Sequence, residues 1–141
     1  MNNIKTILVD DEPLARKGLS VRLKKFEQVN LLAECKNGLE AIEAIKEHEP
    51  DLLFLDIQMP GLNGFELLQE LEKLDQKLPM VVFVTAFDQY ALKAFEVHAL
   101  DYLLKPLDDE RLSETMEKVL GYIDQQKDGK HKADLVRLMS E

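Results

Sequence analysis

The sequence has one cysteine, no tryptophan and no long apolar run. A single thiol, Cys35, cannot form a disulfide within the chain, which fits a reducing compartment. The opening residues, MNNIKTILVDDEP, lack the apolar core of a secretory signal. No stretch approaches the roughly 18 apolar residues that a membrane-spanning helix needs. We therefore expect a cytoplasmic protein with no membrane partner.

Positive charge is also scarce, since 18 Lys and Arg residues face 27 Asp and Glu residues and the formal net charge is −9. A module that binds duplex DNA normally shows a basic face. We therefore do not expect this segment to contact DNA itself. The length of 141 residues, with 45% hydrophobic residues, suits one globular domain with a modest tail.

Five short apolar runs recur along the chain, at residues 4–9, 29–35, 51–56, 80–85 and 101–105. Each is shorter than a typical helix, and several are almost wholly apolar. Strands that are buried on both faces of a parallel sheet have this pattern. Amphipathic segments follow the runs, at residues 13–26, 38–49, 64–74, 89–99 and 109–126. In the fourth of these segments the apolar stripe is weak and consists of Ala91, Leu92 and Phe95.

This strict alternation predicts an α/β fold in which five parallel strands carry helices on both faces, a doubly wound sheet. The predicted domain spans residues 1–126. From Lys127 the chain becomes polar and then apolar again. Residues 127–141 are therefore interpreted as a linker, as the beginning of a further domain, or as an added helical turn that packs or dimerises.

Polar side chains follow four of the predicted strands. Asp10 and Asp11 follow the first, Asp56 ends the third, Thr85 ends the fourth, and Lys105 ends the fifth. Because the carboxyl ends of parallel strands meet at one edge of the sheet, these groups should share one site. Any of them alone could be a helix cap, a loop opener or a solvated side chain. Their joint occurrence favours a functional site.

The chemistry of such a site follows from its charges. Three clustered carboxylates repel one another, and a divalent cation with oxygen ligands, Mg²⁺ above all, relieves the repulsion. A lysine and a hydroxyl suit a phosphoryl group, whose transfer needs mainly positioning and charge neutralisation. A carboxylate can itself be the nucleophile and form an aspartyl phosphate.

Four segments together resemble the receiver domains of bacterial two-component response regulators: LVDDEP (8–13), LLFLDIQMPGLNGFEL (52–67), VVFVTAF (81–87) and DYLLKPL (101–107). The resemblance covers roughly residues 4–125. It implies a flavodoxin-like fold with five helices and the strand order 2-1-3-4-5. It also implies that the chain accepts a phosphoryl group from a sensor histidine kinase and is not a multi-turnover enzyme.

The resemblance also implies a role for each residue of the site. Asp56 matches the phosphoacceptor, while Asp10, Asp11, Asp56 and the main-chain carbonyl of Gln58 match the Mg²⁺ ligands. Thr85 and Lys105 match the residues that bind the phosphoryl group. Thr85 and Tyr102 together match the pair that switches conformation.

A cis peptide bond is expected before Pro106, where the family usually has one. The stretch TAFDQYALKAFEVHALDYLLKP (85–106) further resembles receivers joined to a LytTR-type DNA-binding domain. DNA would then be bound only through an output domain that this chain lacks. A homodimer through the face from the fourth helix to the fifth strand is a further expectation.

Three other functions stay open on the sequence alone. The chain could be a stand-alone receiver, or a receiver-like interaction module that is never phosphorylated. It could also be a phosphatase that acts on small molecules through an aspartyl phosphate. Such phosphatases usually have a DxD arrangement after the first strand and a capping insertion, and neither is visible here. The histidines, His48, His98 and His131, form no spaced metal cluster and are not assigned to the site.

Overall fold

The computed structural model describes the backbone of residues 4–140 and the side chains of residues 4–126. Its five strands are β1 (Ile4–Val9), β2 (Val29–Cys35), β3 (Leu52–Leu55), β4 (Met80–Thr85) and β5 (Asp101–Leu104). They form one sheet in the order β2-β1-β3-β4-β5, and all four neighbouring pairs are parallel. The predicted flavodoxin-like sheet and its strand order are thereby confirmed.

Five helices alternate with these strands within the described residues: α1 (Pro13–Leu23), α2 (Gly38–His48), α3 (Gly64–Glu72), α4 (Ala91–Glu96) and α5 (Asp109–Ser140). Local sequence explains where several of them begin. Pro13 occupies the first turn of α1, where its missing N–H is not needed. The Asn37 side chain caps α2 by accepting from the backbone N–H of Glu40 at 2.9 Å.

The strands are buried on both faces, which is why their sequences are almost continuously apolar. On one face Ile7, Leu53 and Phe83 join the main apolar cluster, together with Ala41 and Ile45 of α2 and Leu67 and Leu71 of α3. Leu8, which follows Ile7 on β1, and Phe54, which follows Leu53 on β3, lie on the other face and are fully buried as well. The sheet therefore forms a rigid frame whose carboxyl edge carries the polar residues.

The prediction for the apolar stripe of α4 is wrong. Its members Leu92 and Phe95 are 72% and 78% exposed, whereas Ala94 is buried. The helix has only six residues, so it cannot present a full apolar stripe to the sheet. It is anchored through its one small buried residue instead, and its long apolar side chains face solvent.

The strands and α1–α4 form one compact unit that ends at Leu107, and α5 belongs to a second unit that begins at Asp108. Helix α5 continues to Ser140, whereas the sequence predicted its end at Gln126. One glycine, Gly129, and a polar stretch do not stop a helix when no proline follows. The proposed domain boundary at 126–127 stays a prediction, and residue 141 lies outside the described residues.

No helix in the described part of the chain is long and apolar enough to cross a membrane.

Candidate functional site

Asp10 and Asp56 are held at the carboxyl edge of the sheet by main-chain hydrogen bonds that extend the strand pairing. The Asp10 N–H donates to the Cys35 carbonyl at 3.0 Å, and the Asp56 N–H donates to the Val9 carbonyl at 3.0 Å. Each residue therefore continues the parallel pairing just beyond the end of its strand. This rigid anchoring directs the two carboxylates into one site.

Three carboxylates meet there, as the sequence predicted. Asp10, Asp11 and Asp56 each offer an oxygen, and these oxygens lie within 4.8 Å of one another. Asp10 and Asp56 are buried, and Asp11 is half-buried. Buried like charges at this separation need a cation, and an all-oxygen donor set suits Mg²⁺. The residues present therefore fit a magnesium ion.

Lys105 supplies positive charge to the same carboxylates. Its Nζ lies 2.9 Å from Asp10 Oδ2 and 3.0 Å from Asp56 Oδ2, and only 14% of its side chain is exposed. Burial alone would lower the pKa of Lys105, but its hydrogen bonds to Asp10, Glu12 and Asp56 outweigh burial and raise the pKa above its ordinary value. The lysine therefore stays a cation in this site.

The surroundings of Asp56 disfavour its charged form. Burial raises its pKa, the hydrogen bond from Lys105 opposes that rise, and the charge of Asp10 adds to it, so that the pKa lies above its ordinary value. A buried carboxylate with a single lysine partner has capacity for further positive charge. This is consistent with a cation bound beside it.

The loop after β5 brings the lysine to the acidic cluster. The Lys105–Pro106 peptide bond is cis, as the resemblance predicted. The Lys105 N–H donates to the Thr85 carbonyl at 2.8 Å, which joins the ends of β4 and β5. Thr85 is fully buried, and its Oγ1 accepts from the Phe87 N–H at 3.4 Å. Lysine and threonine are therefore neighbours at the edge where the carboxylates meet.

Tyr102 is half-buried on β5 and packs against Phe83, with the ring centroids 6.4 Å apart. Its hydroxyl donates to the Phe87 carbonyl. Tyr102 and Thr85 therefore contact the same residue of the β4–α4 loop. A movement of this loop would therefore change the hydrogen bonds of both side chains.

Gly64, at the first position of α3, makes a close approach to the site that the sequence analysis missed. A Cβ at this position would lie 2.7 Å from the Asp56 carbonyl oxygen and 3.0 Å from Ile57 Cα. The Gly64 N–H donates to the Ile57 carbonyl at 2.7 Å. A side chain here would therefore displace the backbone that carries Asp56. In the sequence, the only sign of this close approach is a glycine directly after Asn63, the residue that caps α3.

Gln58 reaches away from the carboxylates toward α4. Its Nε2 donates to the Tyr90 hydroxyl at 2.8 Å. Residues of the β3–α3 loop and of α3, with Tyr90 and Lys93, line an open cleft of about 470 Å³. The Lys93 ammonium lies over the Phe65 ring, 4.6 Å from its centroid. The Gln58 side chain therefore links the loop after Asp56 to the fourth helix.

Cys35 and the described histidines do not belong to the site. Cys35 is buried, and burial, with the negative charge of Glu40, raises the pKa of its thiol to about 11. This agrees with a structural thiol. His48 contacts Glu47 at the end of α2, and His98 lies beyond α4 with a positive φ of 62°. The side chain of His131 lies outside the described residues.

Comparison with known proteins gives a family match over most of the chain. A family profile described as the response regulator receiver domain matches residues 6–117. The transcriptional regulatory protein BtsR of Escherichia coli is 49% identical over 116 residues, 82% of this chain and 48% of that protein. A response regulatory protein of Yersinia pestis is 51% identical over the same shares. The chain spans about half the length of these curated relatives.

Solved structures agree with the fold. The response regulatory domain of the protein mrkE from Klebsiella pneumoniae has a TM-score of 0.78 and 34% identity, over 86% of this chain and 99% of that chain. A LuxR-family DNA-binding response regulator from Staphylococcus aureus has a TM-score of 0.73 and 34% identity, over 82% of this chain and 98% of that chain.

Proposed function

The chain belongs to the response regulator receiver domain family, and on that premise we propose that Asp56 accepts a phosphoryl group from a sensor histidine kinase. One observation carries the proposal: Lys105 Nζ contacts Asp56 within a cluster that also holds Asp10 and Asp11. A nucleophilic carboxylate, a metal-type acid pair and a lysine in one place are what phosphoryl transfer to aspartate requires.

In the proposed step, an Asp56 carboxylate oxygen forms a bond to the phosphorus of a phosphohistidine. The phosphorus–nitrogen bond breaks, and its electron pair returns to the histidine ring, which leaves with the kinase. The product is an aspartyl phosphate that carries about one extra negative charge near neutral pH. Lys105 would offset that charge from its position beside Asp56.

We propose that Asp10, Asp11, Asp56 and the main-chain carbonyl of Gln58 hold Mg²⁺. The support is the donor set, since the three carboxylate oxygens lie within 4.8 Å of one another. When bound, the ion would neutralise charge on the phosphoryl oxygens. Magnesium should raise the unfolding temperature of the protein, and Asp11→Ala should reduce this shift strongly, because it removes one ligand. An undiminished shift in Asp11→Ala would contradict the role of that residue.

The proposed response is a two-state switch. A phosphoryl group on Asp56 would draw the Thr85 hydroxyl toward it, and Tyr102 would take up the space that opens. The support is that both side chains contact Phe87 in the β4–α4 loop. Local charge would thereby change the surface around α4 and β5.

The experiment is incubation of the protein with Mg²⁺ and acetyl phosphate, followed by intact mass measurement. We expect one phosphoryl group per chain, and none when the metal is chelated. Because Asp56 receives one phosphoryl group per signal, we expect no sustained turnover of small phosphoesters. Sustained turnover would instead favour the phosphatase function.

We further propose that the receiver acts through a LytTR-type DNA-binding domain in the natural protein. The support is the segment 85–106 and the naming of BtsR as a transcriptional regulatory protein. A LuxR-family DNA-binding regulator is also among the similar structures, so the type of output domain has to be tested directly. The coding sequence beyond residue 141 is the decisive test.

A homodimer through α4 and β5 is also proposed, because Leu92, Phe95 and Leu104 are exposed there. Phe95→Glu should weaken it in analytical ultracentrifugation.

A further inference from the structure

Glu12 is a fourth acidic residue at the site, beside the three carboxylates of Asp10, Asp11 and Asp56. It follows the acid pair directly and precedes α1. Its Oε1 lies 2.9 Å from Lys105 Nζ. Its own backbone N–H donates to Asp10 Oδ1 at 2.9 Å, which fixes the main chain from which its side chain reaches the lysine. The backbone of Glu12, from which its side chain reaches Lys105, is therefore held in place.

The contacts of Lys105 use its full donor capacity. A lysine ammonium has three N–H donors. Lys105 Nζ lies within 3.0 Å of one oxygen each from Asp10, Glu12 and Asp56. One donor is available for each carboxylate, and none remains for a newly arriving oxygen. Lys105 can contact a phosphoryl group on Asp56 only if one of these contacts is released.

The three carboxylates differ greatly in the cost of that release. Before transfer, the Asp10 and Asp56 side chains are carboxylates that are only 4% and 5% exposed, so moving the lysine away from either would remove a cation that water cannot replace. The Glu12 side chain is 63% exposed, so water can solvate it at once. Exposed ion pairs contribute little to stability. Glu12 is therefore the partner that leaves at the smallest cost.

We propose that Glu12 is a positioning residue that occupies the third donor of Lys105 while Asp56 is unmodified and yields it to the incoming phosphoryl group. The inference rests on the proposed function, because it gives Glu12 a role only in the phosphorylation of Asp56. Glu12 thereby slows phosphorylation, since its contact with the lysine must break before the lysine can stabilise the transferred group.

The test is the rate of phosphorylation by acetyl phosphate at saturating Mg²⁺, followed by intact mass. Glu12→Ala should react about two- to five-fold faster than the wild type, the range expected for loss of one exposed ion pair. Glu72→Ala, which removes an exposed acid at the far end of α3, is the charge control and should react at the wild-type rate. Urea unfolding of each variant checks that it is folded.

Two variants separate the lysine contact from a simple effect of charge. Glu12→Asp keeps the charge but is one methylene shorter, so it should lose the contact and react nearly as fast as Glu12→Ala. In a Lys105→Met background, Glu12→Ala should give no further gain. A Glu12→Asp rate equal to that of the wild type, or a gain that persists without Lys105, would overturn the inference in favour of direct repulsion of the phosphodonor.

The outcomes also separate the inference from the proposed function. If the wild type forms the adduct and Glu12→Ala is no faster, the inference fails and the proposed function stands. If the wild type forms no adduct under any of these conditions, the proposed function fails and the role of Glu12 fails with it.

Discussion

At the scale of single residues, the site consists of groups whose burial conflicts with their charge. Asp10 and Asp56 are 2% and 4% exposed, yet both are carboxylates. Unpaired buried charges are strongly destabilising, and Lys105 contacts both carboxylates, at 2.9 Å and 3.0 Å. The same conflict makes the site responsive, because a change of charge at Asp56 alters the balance for every neighbour.

Gly64 gives a residue-scale prediction about the frame of this site. Gly64→Ala should destabilise the protein by about 1–3 kcal/mol, because the added Cβ would meet the backbone of Asp56 and Ile57, which cannot move aside cheaply. Urea unfolding measures the change.

Gly121→Ala is the matched control for this substitution. Nothing lies within 4 Å of a Cβ at this position in α5, so alanine should stabilise the protein by about 0.5–1 kcal/mol. Equal effects of the two substitutions would contradict a close approach at Gly64.

The residues of the site were largely predictable from the sequence. Asp10, Asp11, Asp56, Thr85 and Lys105 each lie at the end of a buried strand or directly after it, and parallel strands bring such positions to one edge. The contact of Glu12 with Lys105 was not predictable in this way. It depends on how the β1–α1 loop turns, where the Glu12 N–H donates to Asp10 Oδ1, and this turn does not follow from an alternation of apolar runs.

At the scale of elements, α4 differs from the other helices of the first unit. It has six residues and one buried alanine, and the hydroxyl of Tyr90, directly before it, accepts a hydrogen bond from Gln58 Nε2. The prediction of its apolar stripe was wrong because a helix of six residues is too short to present a full stripe to the sheet. An element with few buried contacts opens at a low cost in free energy.

Tyr90→Phe tests the link between α4 and the loop after Asp56. It removes the 2.8 Å hydrogen bond from Gln58, so amide exchange at Ala94, whose N–H donates to the Tyr90 carbonyl, should quicken by up to about ten-fold.

Tyr122→Phe is the control for this link, because it breaks a similar glutamine–tyrosine pair within α5 without joining two elements. It should leave the exchange at Ala94 unchanged. Equal acceleration in both variants would show that the Gln58–Tyr90 contact does not hold α4.

At the scale of the whole molecule, the sheet order agrees with the one that the family resemblance implied, and the strand bounds were close to the sequence prediction, whereas the end of α5 was not. The strands have continuous apolar runs with clear polar ends, so burial defines their limits. The limit of α5 rested on a polar stretch containing one glycine, which is a weak stop signal. The chain spans about half the length of the curated relatives that it matches.

The most direct test of the central claim locates the phosphoryl group. The protein is incubated with Mg²⁺ and acetyl phosphate, the acyl phosphate is reduced with borohydride, and peptides are sequenced by mass spectrometry, with Asp56→Asn treated in parallel. We predict a single reduced aspartate, at Asp56, in the wild type and no adduct in the variant. Modification at another residue, or an adduct that persists in Asp56→Asn, would contradict the assignment of Asp56 as the phosphoacceptor.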